Sequence, residues 1–353
     1  MKPWEVNIRK VEPYVPGEQP NLPDMVKLNT NENPYPPAPG VKDIVENMDV
    51  EKLRLYPDPL CNSLVDVLAD FYGLEKNQVF VGVGSDDVLS TAFMTFFNSS
   101  KPILFPDITY SFYDVWANVH KIPYEQIPLD ENYRIIKEDY YRENGGVVLA
   151  NPNAPTSICE PLSFIEDILQ HNQDVIVIVD EAYIDFGGES ALKLIDKYEN
   201  LLVVQTFSKS RSMAGIRIGY CMGNADLIQA INDVKYSINS YTMNMTSLLA
   251  GVEAVRDKDY FYSTIHRIVA TRERAKKQLE ELGFMIADSK ANFLFATHPA
   301  LDCKDLFEWL RERHIFVRYF NMKRIDNHLR ITIGTDEEMD RFISAVKEYQ
   351  SQQ

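Results

Sequence analysis

The chain has 353 residues, 45% hydrophobic and 25% charged, the balance of a folded globular protein rather than a disordered one. With 36 Lys and Arg against 52 Asp and Glu, the formal net charge is −16, which argues against nucleic-acid binding and against attachment to anionic membranes. No apolar run approaches the ~20 residues of a membrane span.

No apolar signal core follows Met1, and Cys61, Cys159, Cys221 and Cys303 form no Cys-x-x-Cys pair. Buried thiols in a cytoplasmic protein, with no metal site, are therefore expected. The length suits about two domains at roughly 150 residues each.

In chain order, Pro34, Pro36, Pro37 and Pro39 exclude a regular helix from the first forty residues. Such a segment is a disordered tail or, since it carries Trp4, Tyr14, Leu28 and Tyr35, an ordered arm lying on the body. From residue 60, strand-length apolar runs alternate with amphipathic helices. Strands are expected at Gln78–Val83, Pro102–Phe105, Ile122–Ile127, Gly146–Ala150, Val175–Val179 and Leu201–Thr206. Helices are expected at Ser85–Phe97, with Ser85 as N-cap, at Tyr110–Val119 and at Leu162–Gln170. Near-continuous apolar strands between helices predict an α/β fold, with a mostly parallel sheet covered on both faces.

Beyond residue 225 the strand rhythm fades. A long helix over Asp257–Leu282 ends at Gly283, a C-cap signal. Short strands (Asn292–Ala296, Ile315–Val317, Leu329–Ile333) and helices (Cys303–Glu312, Glu337–Glu348) follow as a smaller α+β unit. The expected organisation is an arm over 1–45 packing with the small domain, a large domain over 46–250 and a small domain over 251–353.

Ligands of parallel sheets sit beyond the carboxyl ends of the strands. Gly84-Ser85-Asp86-Asp87 opens a helix there, and free N–H groups with the helix dipole make an anion cradle. Asn153 stands in a proline-fixed turn, Asn151-Pro-Asn-Ala-Pro-Thr156. Asp180 ends a buried run and needs a partner, because an unpaired buried carboxylate is costly. Lys209, at the mouth of another run, is placed to be desolvated, which makes a neutral amine available for a Schiff base. Each of these has an ordinary structural explanation. Together they supply what pyridoxal phosphate needs: an amine, a carboxylate, a phenol (Tyr183), an amide and an anion site with Arg217 and Ser208.

Asn151-Pro-Asn-Ala-Pro-Thr, Asp180-Glu-Ala-Tyr183, Thr206-Phe-Ser-Lys209 and Gly215-Ile-Arg217-Ile-Gly-Tyr resemble the class I/II, fold-type I aminotransferases. Leu28-Asn-Thr-Asn-Glu-Asn-Pro34, Tyr56-Pro-Asp-Pro59, Gly84-Ser-Asp-Asp and Pro106-Asp-Ile-Thr-Tyr110 are similar to the histidinol-phosphate aminotransferase family within that class. The resemblance runs from about Asn29 to the end. It implies a PLP-binding large domain in which Lys209 holds the cofactor and moves the proton. Asp180 would pair with the ring nitrogen, Tyr183 and Asn153 would bond the 3-oxygen, and Tyr110 would stack on the ring. Gly84, Ser85, Asp86, Ser208 and Arg217 would hold the phosphate, with Tyr56 reaching the phosphate of a neighbouring subunit in a homodimer.

It further implies Arg330 and Arg318 for the anionic ends of small-molecule substrates (histidinol phosphate, 2-oxoglutarate, glutamate), with Tyr14 and Asn31 on an arm that closes over them. Aromatic amino acid transamination and threonine-phosphate decarboxylation are the alternative activities. Ala154, Ser157, Asp87 and Tyr35, which replaces the usual glycine after the N-terminal Asn-Pro, depart from the family's usual pattern and bear on the choice of substrate.

Overall fold

A computed structural model describes residues 2–353. After a 3-10 turn over Pro3–Asn7 come a two-residue strand, β1 (Val26–Lys27), and helices α1 (Pro39–Glu46) and α2 (Asn62–Tyr72). A seven-stranded sheet follows, built from β2 (Val79–Gly82), β3 (Ile103–Pro106), β4 (Tyr124–Ile127), β5 (Gly146–Ala150), β6 (Val177–Asp180), β7 (Leu201–Thr206) and β8 (Gly219–Gly223). Their order is β2-β8-β7-β6-β5-β3-β4. Pairings among β3 to β7 are parallel, and β8 runs antiparallel to both β2 and β7.

The central strands alternate between two cores. Val147, Leu149, Val177, Val179, Leu201 and Val203 pack on one face, while Val148, Ile178, Leu202 and Val204 pack on the other. A strand buried on both faces has no polar position, which is why these runs read as continuously apolar. Helices α3 (Ser85–Phe96), α4 (Tyr113–His120), α5 (Leu162–His171), α6 (Ala225–Ile238) and α7 (Met245–Arg256) complete this part.

The rest is α8 (Lys258–Glu281), β9 (Met285–Ile286), β10 (Phe293–Thr297), α9 (Cys303–Glu312), β11 (Ile315–Phe316), β12 (Arg318–Tyr319), β13 (His328–Thr332) and α10 (Asp336–Ser351). Strands β12-β13-β10-β9 form an antiparallel sheet. The apolar stripe of α8 (Phe261, Ile265, Ile268, Ala275, Leu279) packs into the core of this sheet, and the helix gives way to Gly283 at φ +88°. The N-terminal segment lies on the same core. β1 pairs in parallel with β11, and Thr332 N–H donates to Leu28 O at 2.9 Å. We call residues 26–33 the strap.

Four expectations change. Gly84, not Ser85, caps α3, with no side-chain cap bond. Helix α4 starts at Tyr113, because Tyr110 to Tyr113 form a turn closed by a 3.2 Å N–H to carbonyl bond. Strand β8 was not anticipated; a Cβ on Gly219 would come within 2.2 Å of the Gly84–Ser85 backbone. Cys159 is half-buried, whereas Cys61, Cys221 and Cys303 are buried.

Candidate active site

The carboxyl ends of β5, β6 and β7 open into two adjoining cavities of about 230 and 170 Å³. Thr30, Tyr110, Ala154, Tyr183 and Lys209 line both, so they are two chambers of one site. The inner chamber adds Ser85, Asp86, Asp180, Ser208 and Arg217. The outer adds Tyr14, Asn31, Arg318 and Arg330.

The floor of the inner chamber is the N-terminus of α3. Gly84 has φ +87° and ψ 163°, a conformation essentially reserved for glycine. Arg217, itself left-handed at φ +59°, lies over it, with Nη1 3.4 Å from Ser208 Oγ and Nη2 3.5 Å from an Asp86 carboxylate oxygen. Amides at a helix start, a hydroxyl and a guanidinium form a cradle for a phosphate. A Cβ on Gly84 would stand 2.3 Å from Arg217 Nη2. Gly84→Ala is thus expected to displace the arginine, at a backbone cost of about 1–3 kcal/mol. Equilibrium titration of the apoprotein with pyridoxal phosphate is expected to show affinity at least about tenfold weaker.

Asp180 ends β6 and is buried, with only neutral partners. Tyr113 Oη donates to it at 2.9 Å and Ala182 N–H at 3.2 Å. Burial pushes its carboxyl up to about 6 despite these two bonds. Such a group calls for a cation in the chamber it lines. Lys209 Nζ donates to Thr30 O at 3.3 Å and lies 5.7 Å from the centre of the Tyr183 ring. The Tyr183 oxygen accepts from Asn31 Nδ2 at 2.9 Å. Tyr110 lines both chambers and donates its hydroxyl to Asp86 at 2.7 Å; burial pushes this phenol far up, so it stays protonated.

Asn153 is buried beside the chambers. Its Nδ2 donates to Ile108 O and Thr156 Oγ1, each at 2.9 Å, and its Oδ1 accepts from Thr109 at 2.7 Å.

In the outer chamber, Arg318 and Arg330 are directly opposed across β12 and β13. Arg330 Nη2 donates to Asn29 O at 2.9 Å, while its buried Nε has no partner. Burial pushes the guanidinium down, and Arg318 beside it pushes the same way. Among the described residues no carboxylate lines this chamber. A half-buried, incompletely bonded guanidinium with a second one beside it is a site for an anion. Tyr14 stacks on Phe112 at 4.2 Å between ring centres and closes one wall. A phosphorylated pyridine aldehyde fits the inner chamber on chemistry alone: the cradle for phosphate, Asp180 for a ring cation, and Lys209 for the carbonyl.

Tyr56 is not brought into either chamber. It is 80% exposed, and its ring lies tilted against Tyr241 at 4.6 Å between centres. Three contributors went unassigned in the sequence. Tyr113 follows Tyr110 by three residues, a spacing that would have flagged it as a neighbour. The Thr30 carbonyl is a backbone group with no signature. Asn33 donates to the carbonyls of Lys209 and Ser210 at 3.1 and 3.3 Å, from within a motif already noted.

Residues 23–346 match the family described as aminotransferase class I and II. Histidinol-phosphate aminotransferase of Clostridium acetobutylicum is 51% identical over 345 residues, covering 98% of both chains. The enzyme of the same name from Lactococcus lactis subsp. cremoris is 51% identical over 346 residues, 98% of this chain and 97% of that one. The crystal structure of histidinol-phosphate aminotransferase from Sinorhizobium meliloti in complex with pyridoxal-5'-phosphate superposes with a TM-score of 0.82. It covers 92% of this chain and 90% of that one at 23% identity, a likeness of fold.

Proposed function

Because the chain belongs to the class I and II aminotransferases, and within them to the histidinol-phosphate aminotransferases, we propose the following division of labour among its side chains. The reaction transfers the amino group of L-histidinol phosphate to 2-oxoglutarate, giving imidazole-acetol phosphate and L-glutamate in histidine biosynthesis. The cofactor is pyridoxal phosphate, which supplies a carbonyl to take up the amino group and a ring to spread negative charge.

Lys209 holds the cofactor through its amine and, once freed, carries the proton to and from the substrate α-carbon. Asp180 keeps a proton on the ring nitrogen. Tyr183 and Asn153 would bond the ring 3-oxygen. Tyr110 packs against the ring face. The backbone of Gly84, Ser85 and Asp86, with Ser208 and Arg217, holds the phosphate. Arg330 and Arg318 take the phosphate of one substrate and the carboxylate of the other, which a paired guanidinium site accommodates. Tyr14 and Asn31 bound that chamber from the N-terminal side.

The observation that carries this reading is Asp180, a buried carboxylate with no ion pair among the described residues, which opens onto the same chamber as the Lys209 amine. The test is a panel of amino donors. Histidinol phosphate is expected to give the highest kcat/KM. Faster turnover of phenylalanine or tyrosine would make the enzyme an aromatic aminotransferase, and carbon dioxide release from threonine phosphate a decarboxylase.

The same reading makes the enzyme a cytoplasmic homodimer. Val50, Leu53, Leu55 and Tyr56 are 71, 60, 51 and 80% exposed, with Ile238 at 60% and Tyr241 at 46%, and they suit a surface covered by a second copy. Tyr56 then reaches the partner's cofactor phosphate. Among the described residues, no helix is long and apolar enough to cross a membrane.

A further inference from the structure

We propose that Asn31 is a positioning residue that fixes the direction of the Tyr183 hydroxyl, so that this phenol donates into the site and does not accept there. The inference rests on the reading of the inner chamber as the pyridoxal phosphate site.

Four hydrogen bonds settle where the protons point. The Asn31 backbone N–H donates to Thr332 Oγ1 at 3.0 Å, leaving that hydroxyl its own proton to give. Thr332 gives it to Asn31 Oδ1 at 3.1 Å. The amide therefore turns its nitrogen to Tyr183, and Nδ2 donates to the phenol oxygen at 2.9 Å. The Asn31 carbonyl is held in turn by Asn292 Nδ2 at 3.0 Å. With the amide turned over, Thr332 would face two donors and its buried proton would have no acceptor, an arrangement native interiors avoid.

Tyr183 already accepts through one side, and it lines both chambers. Its proton is therefore left to point into the site. Asn31 is 1% exposed and sits at φ +57°, a left-handed conformation that Asn and Asp tolerate better than other side chains. The strap that carries it also offers the Thr30 carbonyl to Lys209.

A phenol held as donor to the cofactor's ring oxygen keeps negative charge on that oxygen. It thereby disfavours a proton on the Lys209 nitrogen. The titratable and charged groups around Tyr183 are Lys209 after β7, Arg330 on β13, Tyr110 in the turn before α4 and Tyr113 at its start. Asp180 and Glu32 also act on Lys209.

Asn31→Asp keeps the size, the left-handed backbone and the Thr332 bond, but a carboxylate only accepts. Tyr183 then turns its proton out of the site. In holoenzyme reconstituted with pyridoxal phosphate, the pH midpoint of the visible absorbance change is expected to rise by about one unit in Asn31→Asp and in Tyr183→Phe, the size of one lost bond to a charged group. The double variant is expected to match Tyr183→Phe. Asn31→Ala leaves the phenol proton free to stay in the site and is expected to move the midpoint by less than half as much.

An unshifted Asn31→Asp would overturn the relay. So would additive shifts in the double variant, which would assign the effect to the added charge. An equal shift in Asn31→Ala would also overturn it, by assigning the effect to a loosened strap. Thermal midpoints recorded alongside separate misfolding from these outcomes. A wild-type chain that binds no chromophore at Lys209 would instead remove the cofactor reading itself.

Discussion

Lys209→Ala is expected to abolish the visible absorbance of the holoenzyme and to lower turnover by about 10⁴-fold, the upper end of what a positioned acid–base group contributes. Two tasks fall on this one nitrogen, holding the cofactor and moving the proton, so no neighbour substitutes for it. Lys27, on the strap, is engaged with Thr30 and Glu32 and lines neither chamber. The fold is expected to survive, because Lys209 makes one side-chain bond, to Thr30 O, and its backbone is held independently by Asn33. Absorbance spectra and single-turnover rates check this. A variant with normal absorbance and normal rate would show that the amine lies elsewhere.

Arg330→Ala is expected to lower kcat/KM for both the amino donor and 2-oxoglutarate by about 10²–10³-fold, the cost of about 3–4 kcal/mol for removing one partner of a buried charge pair. The shared loss is the diagnostic part. One outer chamber, with Arg318 and Arg330 opposed across two strands, has to serve a phosphate ester in one half-reaction and a carboxylate in the other. Cofactor affinity is expected to stand, since Arg330 does not line the inner chamber. Arg330→Lys is expected to recover only part of the loss, because a point charge lacks the planar fork. Stopped-flow half-reactions with each substrate test this; a fall in cofactor affinity alone would mean the arginine has been misplaced.

The parallel sheet was legible in the sequence because burial on both faces leaves runs such as Gly146–Ala150 and Leu201–Thr206 without polar interruption. Those two strands agree with the structure residue for residue. Groups at the ends of such runs were legible for the same reason, since Asp180 and Lys209 break an apolar pattern where a ligand can reach them. Strand β8 was not, because glycines at both ends carry the signature of a turn while serving close approach to Gly84 and Leu201. The strap was legible as a motif but not as a mechanism. Nothing local in Asn29 to Asn33 reports that its partners are Lys209, Thr332 and Arg330. The Thr30 carbonyl has no side-chain signature at all.

The strap has a consequence for how the protein comes into being. Asn31 meets Thr332 across 301 residues of sequence, and Arg330 meets Asn29 across the same separation. The seven-stranded sheet is built from residues 79–223 and can form from a growing chain, but the strap has no docking surface until β11 and β13 have been made. At roughly 5–20 residues per second, the stretch from the end of β8 to the end of β13 takes about 5–20 s of synthesis. Through that interval the Lys209 side chain lacks its Thr30 acceptor and Tyr183 its Asn31 donor. The chemistry of the nascent chain thus stays unassembled until its last strand is complete, and the ordering follows from topology alone.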